Sequence, residues 1–115
     1  MRRVRITTDH QPRGGPVLRL RAGDTVTVGA RDDDWPAWVS CTADDGTVGW
    51  MPERYLAHEA PDFERASVLH DYDATELAAS SGDVLDVLGE EEGWLWCRAA
   101  NGELGWVPAR GTEPA

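Results

Sequence analysis

Residues Trp38 to Pro52, with the sequence WVSCTADDGTVGWMP, decide the fold because the chain contains this pattern twice. The second copy runs from Trp94 to Pro108 and reads WLWCRAANGELGWVP, 56 positions later. The residues in register are Trp38/Trp94, Cys41/Cys97, Gly46/Gly102, Gly49/Gly105, Trp50/Trp106 and Pro52/Pro108. A register of so many unlike residues indicates an internal repeat. The spacing is too long for one hairpin and predicts one small domain per copy.

The flanks of the two copies also agree. GDTVTV at 23–28 and GDVLDVL at 82–88 each place a Gly-Asp turn before alternating apolar residues, which predicts a strand. Asp-Asp-Gly at 44–46 and Ala-Asn-Gly at 100–102 predict hairpin turns, because Gly and Asn tolerate positive φ. No stretch keeps the 3.6-residue period of a helix. The sequence therefore predicts an all-β chain.

Length and charge limit the classes of protein that this chain can be. A domain of about 55 residues is marginal alone, so we expect two domains packed on each other: residues 1–57 and 65–115, with a linker at 58–64. The net charge is −10, all of it carried by residues 57–115, and all eleven basic residues are arginine. This balance disfavours nucleic-acid binding, which needs many cations to displace counterions. It favours a basic partner, or simply keeps a small protein soluble.

Catalytic and metal-binding motifs are missing from the sequence. There is no nucleophile elbow, phosphate-binding loop or HExxH pattern, and Cys41, Cys97 and the histidines lack the spacing of a zinc site. We expect no cofactor and interpret each cysteine as a small buried hydrophobe. A metal carrier or enzyme that uses these residues is the least favoured alternative. No apolar run approaches the roughly 20 residues of a membrane span, and the N-terminus is not a secretory signal, so we expect a cytoplasmic protein.

The ordered motifs resemble Src homology 3 (SH3) domains in tandem. VLHDYDA at 68–74 resembles the family's ALYDY opening, and the Trp strand and Gly-Trp-x-Pro close follow in family order. Pro52-Glu53-Arg54-Tyr55-Leu56 resembles the family's P-x-x-Y-V ending. The chain is similar to short bacterial proteins built from divergent SH3-like domains. The resemblance implies two small five-stranded antiparallel barrels.

The resemblance also implies a function, which is the binding of extended, often proline-rich peptides in an aromatic groove. A polyproline II ligand is rigid before it binds, so it loses little entropy. The implied peptide-binding residues are Trp35, Trp38, Trp50, Pro52, Tyr55, His70, Tyr72, Trp94, Trp106 and Pro108. Acidic loop residues would select a basic ligand: Asp32, Asp33, Asp34, Asp73, Glu76, Glu90, Glu91 and Glu92. We expect Trp38 and Trp94 to turn their indoles outward beside these acidic loops.

Each half has an incomplete groove, and the gaps differ. The first half has Thr8 and His10 where the family has its two opening tyrosines, but it keeps Tyr55. The second half keeps Tyr72 but has Gly111 in place of the final tyrosine. Either the ligand is unusual, or one groove docks on a partner. The favoured interpretation is a non-enzymatic binding module. The alternative is an accessory subunit bound permanently to an enzyme, or a homodimer.

Overall fold

A computed structural model of the chain describes residues 1–12, 14–59 and 64–115. The strands are β1 Arg3–Ile6, β2 Arg19–Leu20, β3 Thr25–Arg31, β4 Trp38–Thr42, β5 Val48–Pro52, β6 Leu56–His58, β7 Arg65–Val68, β8 Tyr72–Asp73, β9 Val84–Glu91, β10 Trp94–Arg98, β11 Leu104–Pro108 and β12 Thr112–Pro114. Short 3-10 helices occupy Glu53–Tyr55 and Ala109–Gly111. The predicted all-β fold with two SH3-like domains in tandem is confirmed.

The chain divides into two compact units. The terminal unit consists of Met1–Gly14 and Thr75–Ala115, and the central unit consists of Gly15–Ala74. The terminal unit is built on an antiparallel sheet with the order β11-β10-β9-β1-β12. The central unit has the equivalent order β5-β4-β3-β7-β6, together with a two-stranded ladder of β2 and β8.

Each sheet buries one face of its strands. In the terminal unit the core contains Val4 and Ile6 of β1, Leu85 of β9, and Leu95 and Cys97 of β10. In the central unit the equivalent positions are buried: Val26, Val39, Cys41, Ala66 and Val68. Because side chains alternate along a strand, the neighbours of these residues form the outer face, from which a groove can be built.

The compact units do not follow the predicted domains 1–57 and 65–115, and most of the predicted linker 58–64 lies outside the described residues. From here on the first copy means residues 1–57 and the second copy residues 65–115. β1 belongs to the first copy but pairs with β9 and β12 of the second. β7 belongs to the second copy but pairs with β3 and β6 of the first. Both strands bury every second side chain, so the alternation permits either strand to pair with either sheet. The two copies have therefore exchanged their first strands.

The tight turns and close approaches explain several of the repeated glycines. Gly46 and Gly102 lie at the two hairpin turns with φ of 90°, a conformation that favours glycine, as the sequence predicts. Gly105 lies against the chain between Glu76 and Leu77, and a Cβ there would be 2.7 Å from the Leu77 nitrogen. A Cβ on Gly49 would be 2.8 Å from the Leu18 Cβ. The segments that contain Leu18 and Leu77 therefore pack against β5 and β11 of their own copies of the repeat.

Candidate peptide-binding site

Aromatic residues from both copies of the repeat meet in the central unit. The ring centroids of Tyr55 and His70 are 5.3 Å apart with an interplanar angle of 75°. Those of Tyr55 and Tyr72 are 5.8 Å apart with an angle of 89°. Both pairs have the edge-to-face geometry that aromatic quadrupoles favour. Tyr55 comes from the first copy, whereas His70 and Tyr72 come from the second.

The local backbone explains this arrangement. Pro52 ends β5 and precedes the 3-10 helix that carries Tyr55. The Leu69 N–H donates to the Tyr55 carbonyl at 2.8 Å, which holds His70 beside this helix. The Tyr72 hydroxyl donates to the Trp50 carbonyl at 2.6 Å. These bonds connect the second-copy segment to the first-copy strand, and they hold the aromatic rings in one place.

The tryptophans of the central unit differ in exposure. Trp50 is 40% exposed, whereas Trp38 is only 5% exposed. The expectation of an outward Trp38 indole is therefore wrong. Trp38 lies directly opposite Pro52 in the β4–β5 ladder, and Pro52 is buried as well. The exposed aromatic surface consists of Trp50, His70 and the half-buried Tyr55.

We use the name central groove for the set Trp38, Trp50, Pro52, Tyr55, His70 and Tyr72. Trp35 lies in the loop before β4 and is half-buried. Its backbone N–H donates to an Asp32 carboxylate oxygen at 3.0 Å. The first half of the sequence lacks the opening aromatic residues of the groove, and the second half lacks the closing tyrosine. The central groove contains both, because the strand exchange places His70 and Tyr72 beside Tyr55.

The equivalent surface of the terminal unit is different. His10 lies edge-on to Trp94, with centroids 5.6 Å apart, and its Nε2 is 2.9 Å from a Glu76 carboxylate oxygen. Trp94 is half-buried, and Trp106 is 7% exposed and packs on Trp96. Tyr72 belongs to the same half of the sequence as Trp94 and Trp106, but it lies in the central unit, whereas they lie in the terminal unit.

Thr8 and Gly111 occupy the remaining positions of the terminal surface. The Gly111 carbonyl accepts the N–H groups of Thr7 and Thr8, at 2.8 and 3.3 Å. Gly111 is buried. In the central groove the equivalent positions are His70 and Tyr55, whose rings are in contact. In the terminal unit, backbone hydrogen bonds from Thr7 and Thr8 to Gly111 stand in place of that ring contact. Pro108 is half-buried and lies opposite Trp94 in the β10–β11 ladder.

Several of the acidic residues predicted to select a basic ligand have identified partners within the chain. Asp32 accepts the N–H groups of Asp34 and Trp35 and shapes the loop. Asp73 lies 3.4 Å from Arg19, Glu76 contacts His10, and Glu90 is 2.6 Å from Arg2. These contacts contribute to the loops and strands of the fold, so they are weaker candidates for ligand contacts.

The other predicted acids are divided between the two units. Asp33 and Asp34 are exposed in the loop between β3 and β4 of the central unit. Glu91 ends β9 of the terminal unit, and Glu92 follows in the turn before β10 with a positive φ of 43°. The central unit has twelve acidic residues against five arginines, a formal net charge of −7. The aromatic groove and most of the negative charge are therefore in the same unit.

One ion pair beside the groove was missed by the sequence reasoning. The Arg31 guanidinium binds both carboxylate oxygens of Glu53 at 2.9 and 3.0 Å and also donates to the Pro36 carbonyl. This contact lowers the pKa of Glu53 below its usual value. Glu53 lies between Pro52 and Tyr55, so the pair fixes the start of the 3-10 helix. The Pro-Glu-Arg-Tyr motif contains Glu53, but nothing in the sequence pairs it with Arg31.

The cysteines have the predicted structural role. Cys41 and Cys97 are free and fully buried at equivalent core positions. Burial raises the pKa of Cys41 to about 12 and that of Cys97 to about 11. Such thiols are poor nucleophiles and poor metal ligands at neutral pH. Among the described residues, no group of three or more His, Cys, Asp or Glu side chains is arranged to hold a metal ion.

Comparison with protein families agrees with the fold. A model described as Variant SH3 domain matches residues 3–59, and a model described as SH3 domain matches residues 67–109. No curated protein and no solved structure matches the chain. The fold, the aromatic surface and both matches define protein-interaction modules of the SH3 type. The chain belongs to the SH3 family as a tandem of two SH3-like domains.

The two matches follow the contiguous copies of the repeat, whereas the compact units contain exchanged first strands. SH3 domains are generally non-catalytic modules that bind proteins, which gives this chain a binding role. Within the described residues, no helix is long and apolar enough to cross a membrane.

Proposed function

We propose that the central groove binds an extended segment of a partner protein and that the terminal unit does not. The observation that carries this proposal is the contact of Tyr55 with His70 and Tyr72, which joins residues of both copies in one aromatic surface. The described residues of the terminal unit form no equivalent set, since Thr8 and Gly111 stand where the central unit has His70 and Tyr55. We place this role in the cytoplasm, because both cysteines are free, as in a reducing compartment.

The chemistry of the groove favours a proline-rich ligand. Proline rings of a polyproline II segment pack against flat aromatic walls, and little conformational entropy is lost. The exposed indole of Trp50 and the half-buried ring of Tyr55 supply such walls. The buried Tyr72 contacts the Tyr55 ring, and the buried Trp38 lies opposite Pro52 in the β4–β5 ladder.

The charge of the central unit favours an arginine or lysine in the ligand. Asp33 and Asp34 are exposed beside β4, and a carboxylate binds guanidinium in a bidentate way. The surplus of acids in the central unit also accelerates the approach of a cationic peptide at low salt. We therefore propose a basic, proline-rich segment as the ligand class.

A titration of the full chain tests this function. The probe is a synthetic proline-rich peptide with one arginine, added to isotopically labelled protein and followed by NMR. The proposal predicts micromolar binding, with shifts centred on Trp50, Tyr55 and His70. Trp50→Ala weakens binding at least tenfold, whereas the control Trp96→Ala in the terminal unit leaves it unchanged.

A second comparison addresses charge. The variant Asp33→Asn with Asp34→Asn weakens binding of the arginine peptide but not of a matched peptide that has glutamine in place of arginine. Shifts confined to the terminal unit, or equal effects of Trp50→Ala and Trp96→Ala, would show that the groove assignment is wrong.

A further inference from the structure

The first strands of the two copies occupy equivalent places in the two units. The Val87 N–H of β9 donates to the Arg2 carbonyl at 2.9 Å, and the Val28 N–H of β3 donates to the Glu64 carbonyl at 2.6 Å. Arg2 before β1 and Glu64 before β7 therefore hold the same position. The same residue position thus has opposite charges in the two copies.

In the terminal unit, arginines in β1 and just before it form ion pairs with acidic residues. Arg2 lies 2.6 Å from Glu90. Arg5 lies directly opposite Glu113 in the β1–β12 ladder, with their charged atoms 3.7 Å apart. Cross-strand pairs of opposite charge stabilise a ladder, and like charges destabilise it.

In the central unit the equivalent positions have different charges. Arg31 is opposite Val39 in the β3–β4 ladder, as Glu90 is opposite Leu95 in the β9–β10 ladder. Arg31 therefore stands where the terminal unit has Glu90, and it lines one open depression together with Glu64.

A second position of the central unit also differs. Ala57 pairs with Ser67 where the terminal unit pairs Glu113 with Arg5. Neither residue is charged. Arg3 and Arg65 also occupy equivalent positions, but they are identical and do not distinguish the two arrangements.

If each copy kept its own first strand, these charges would conflict. Arg2 would approach Arg31, and Glu64 would approach Glu90. Arg5 would lose Glu113 and face Ala57. The attractive Arg2–Glu90 contact would be replaced by like-charged neighbours, and the Arg5–Glu113 contact would disappear. Packing separates the two arrangements as well, because the buried Val4 and Ile6 of β1 are larger than Ala66 and Val68 of β7. The surface charges are the part of the difference that can be transposed without changing the core.

We propose that these charges direct the exchange of first strands and thereby decide which aromatic groove the protein builds. Arg2, Arg5 and Glu64 are positioning residues in this account. They touch no ligand, but they favour the pairing of β1 with the terminal sheet. β7, which is followed by His70 and Tyr72, then pairs with the central sheet. The competing explanation is that the chain connections alone impose the exchange, whatever the charges.

The test transposes the charged residues between the two strands in the full chain. The variant contains Arg2→Glu, Glu64→Arg, Arg5→Ser and Ser67→Arg, so its composition, net charge and buried side chains are unchanged. The readout is the cross-strand NOE between the Hα atoms of Leu56 and Val68. These residues form a non-hydrogen-bonded pair, because backbone hydrogen bonds join the adjacent pair Tyr55/Leu69 and the pair Glu59/Arg65 three positions along, and the two kinds of pair alternate.

The proposal predicts that the transposed variant loses the Leu56–Val68 NOE and gains one between Leu56 and Ile6, the residue that would pair with Leu56 without exchange. The ratio of the two forms shifts by on the order of a hundredfold, as summed exposed charge pairs allow. The control Arg5→Glu with Glu113→Arg reverses one pair without removing its attraction, and it keeps the Leu56–Val68 NOE.

An unchanged Leu56–Val68 NOE in the transposed variant would overturn the proposal and favour the chain connections. If the four-residue variant did not fold, Arg2→Glu with Glu64→Arg is the second test. It predicts a second set of resonances with the Leu56–Ile6 NOE, and a single wild-type set would overturn the proposal. The NOE does not depend on peptide binding, so the proposed function and this inference fail separately.

Discussion

The ring of Tyr72 stands perpendicular to the ring of Tyr55, with centroids 5.8 Å apart, although the two tyrosines belong to different copies of the repeat. Tyr72 also donates its hydroxyl to the carbonyl of Trp50. The relationship exists because β7 joins the sheet of the first copy. One complete aromatic groove is thus assembled from two incomplete ones.

The hydroxyl of Tyr72 gives the first prediction. Tyr72→Phe leaves the buried ring in place but removes the donor to the Trp50 carbonyl, so it lowers the free energy of unfolding by about 1 kcal/mol. Urea denaturation measures this loss. The same variant weakens peptide binding, because the strand that holds the Trp50 indole is less firmly placed.

Thr112→Val is the matched control for Tyr72→Phe. It removes a hydroxyl that donates to the Ala109 carbonyl at 2.7 Å in the terminal unit. We expect a similar loss of stability with peptide affinity unchanged. Equal effects of both variants on peptide affinity would contradict a special role for the central groove.

Gly105 gives a prediction about packing. A Cβ at this position would lie 2.7 Å from the Leu77 nitrogen and 2.9 Å from the Glu76 carbonyl carbon, both backbone atoms. Gly105→Ala therefore forces the backbone apart and costs about 2 kcal/mol or more of stability. Thermal unfolding monitored by circular dichroism measures the change. Gly89→Ala is the control, because its Cβ would have only an ordinary 4.0 Å contact with Trp96; a melting temperature lowered equally by both would refute the packing argument.

The buried thiols give a prediction about reactivity. The pKa of Cys41 is raised to about 12 and that of Cys97 to about 11. At pH 8 on the order of one thiol in a thousand or fewer is ionised. A thiol-specific disulfide reagent should therefore label neither cysteine in the native protein and both in guanidinium chloride.

Ala78→Cys supplies the positive control for this labelling, because Ala78 is exposed. We expect one rapidly labelled thiol in the native variant. Rapid labelling of two thiols per wild-type chain, without denaturant, would show that the two core positions are open to solvent.

The Arg31–Glu53 pair gives a prediction about pH. The side-chain hydrogen bond from Arg31 lowers the pKa of Glu53 in the folded chain. Its contribution to stability is complete above the ordinary pKa of glutamate and is lost as pH falls through the lowered folded value. The pair is partly exposed, so Glu53→Gln costs less than about 1 kcal/mol at pH 7.

Urea denaturation of wild type and Glu53→Gln at pH 7 and at pH 2.5 measures this effect. The difference in stability should be present at pH 7 and should be smaller at pH 2.5. Glu113→Gln is the control for a more exposed ion pair, with Arg5 at 3.7 Å, and should show a smaller difference at pH 7. A Glu53→Gln effect that grew at low pH would contradict the assigned interaction.

Much of the fold could be predicted from local patterns. Gly-Asp and Asn-Gly turns and the period-2 alternation mark the strands, because these signals act within a few residues. The exchange of β1 and β7 could not be predicted in the same way, since both strands present the same alternation to either sheet. The signals that did exist were the complementary gaps in the two grooves and the opposite charges of Arg2 and Glu64.

The burial of Trp38 was also beyond local reasoning. Alternation places Trp38 on the face opposite the buried Val39, which would leave it exposed. The exposure of Trp38 depends on which other segments pack on that face of the sheet, and local sequence patterns do not predict such packing. The partners of Asp73 and Glu76 are distant in sequence for the same reason.

One NMR measurement on the wild-type chain tests the account most directly. It is made at a concentration where light scattering gives the monomer mass of 12.6 kDa, so that any exchange observed lies within one chain. The account predicts Hα–Hα NOEs between Leu56 and Val68 and between Ile6 and Thr112. NOEs between Leu56 and Ile6 and between Val68 and Thr112 would contradict it, because each copy would then keep its own first strand and Tyr55 would be separated from Tyr72.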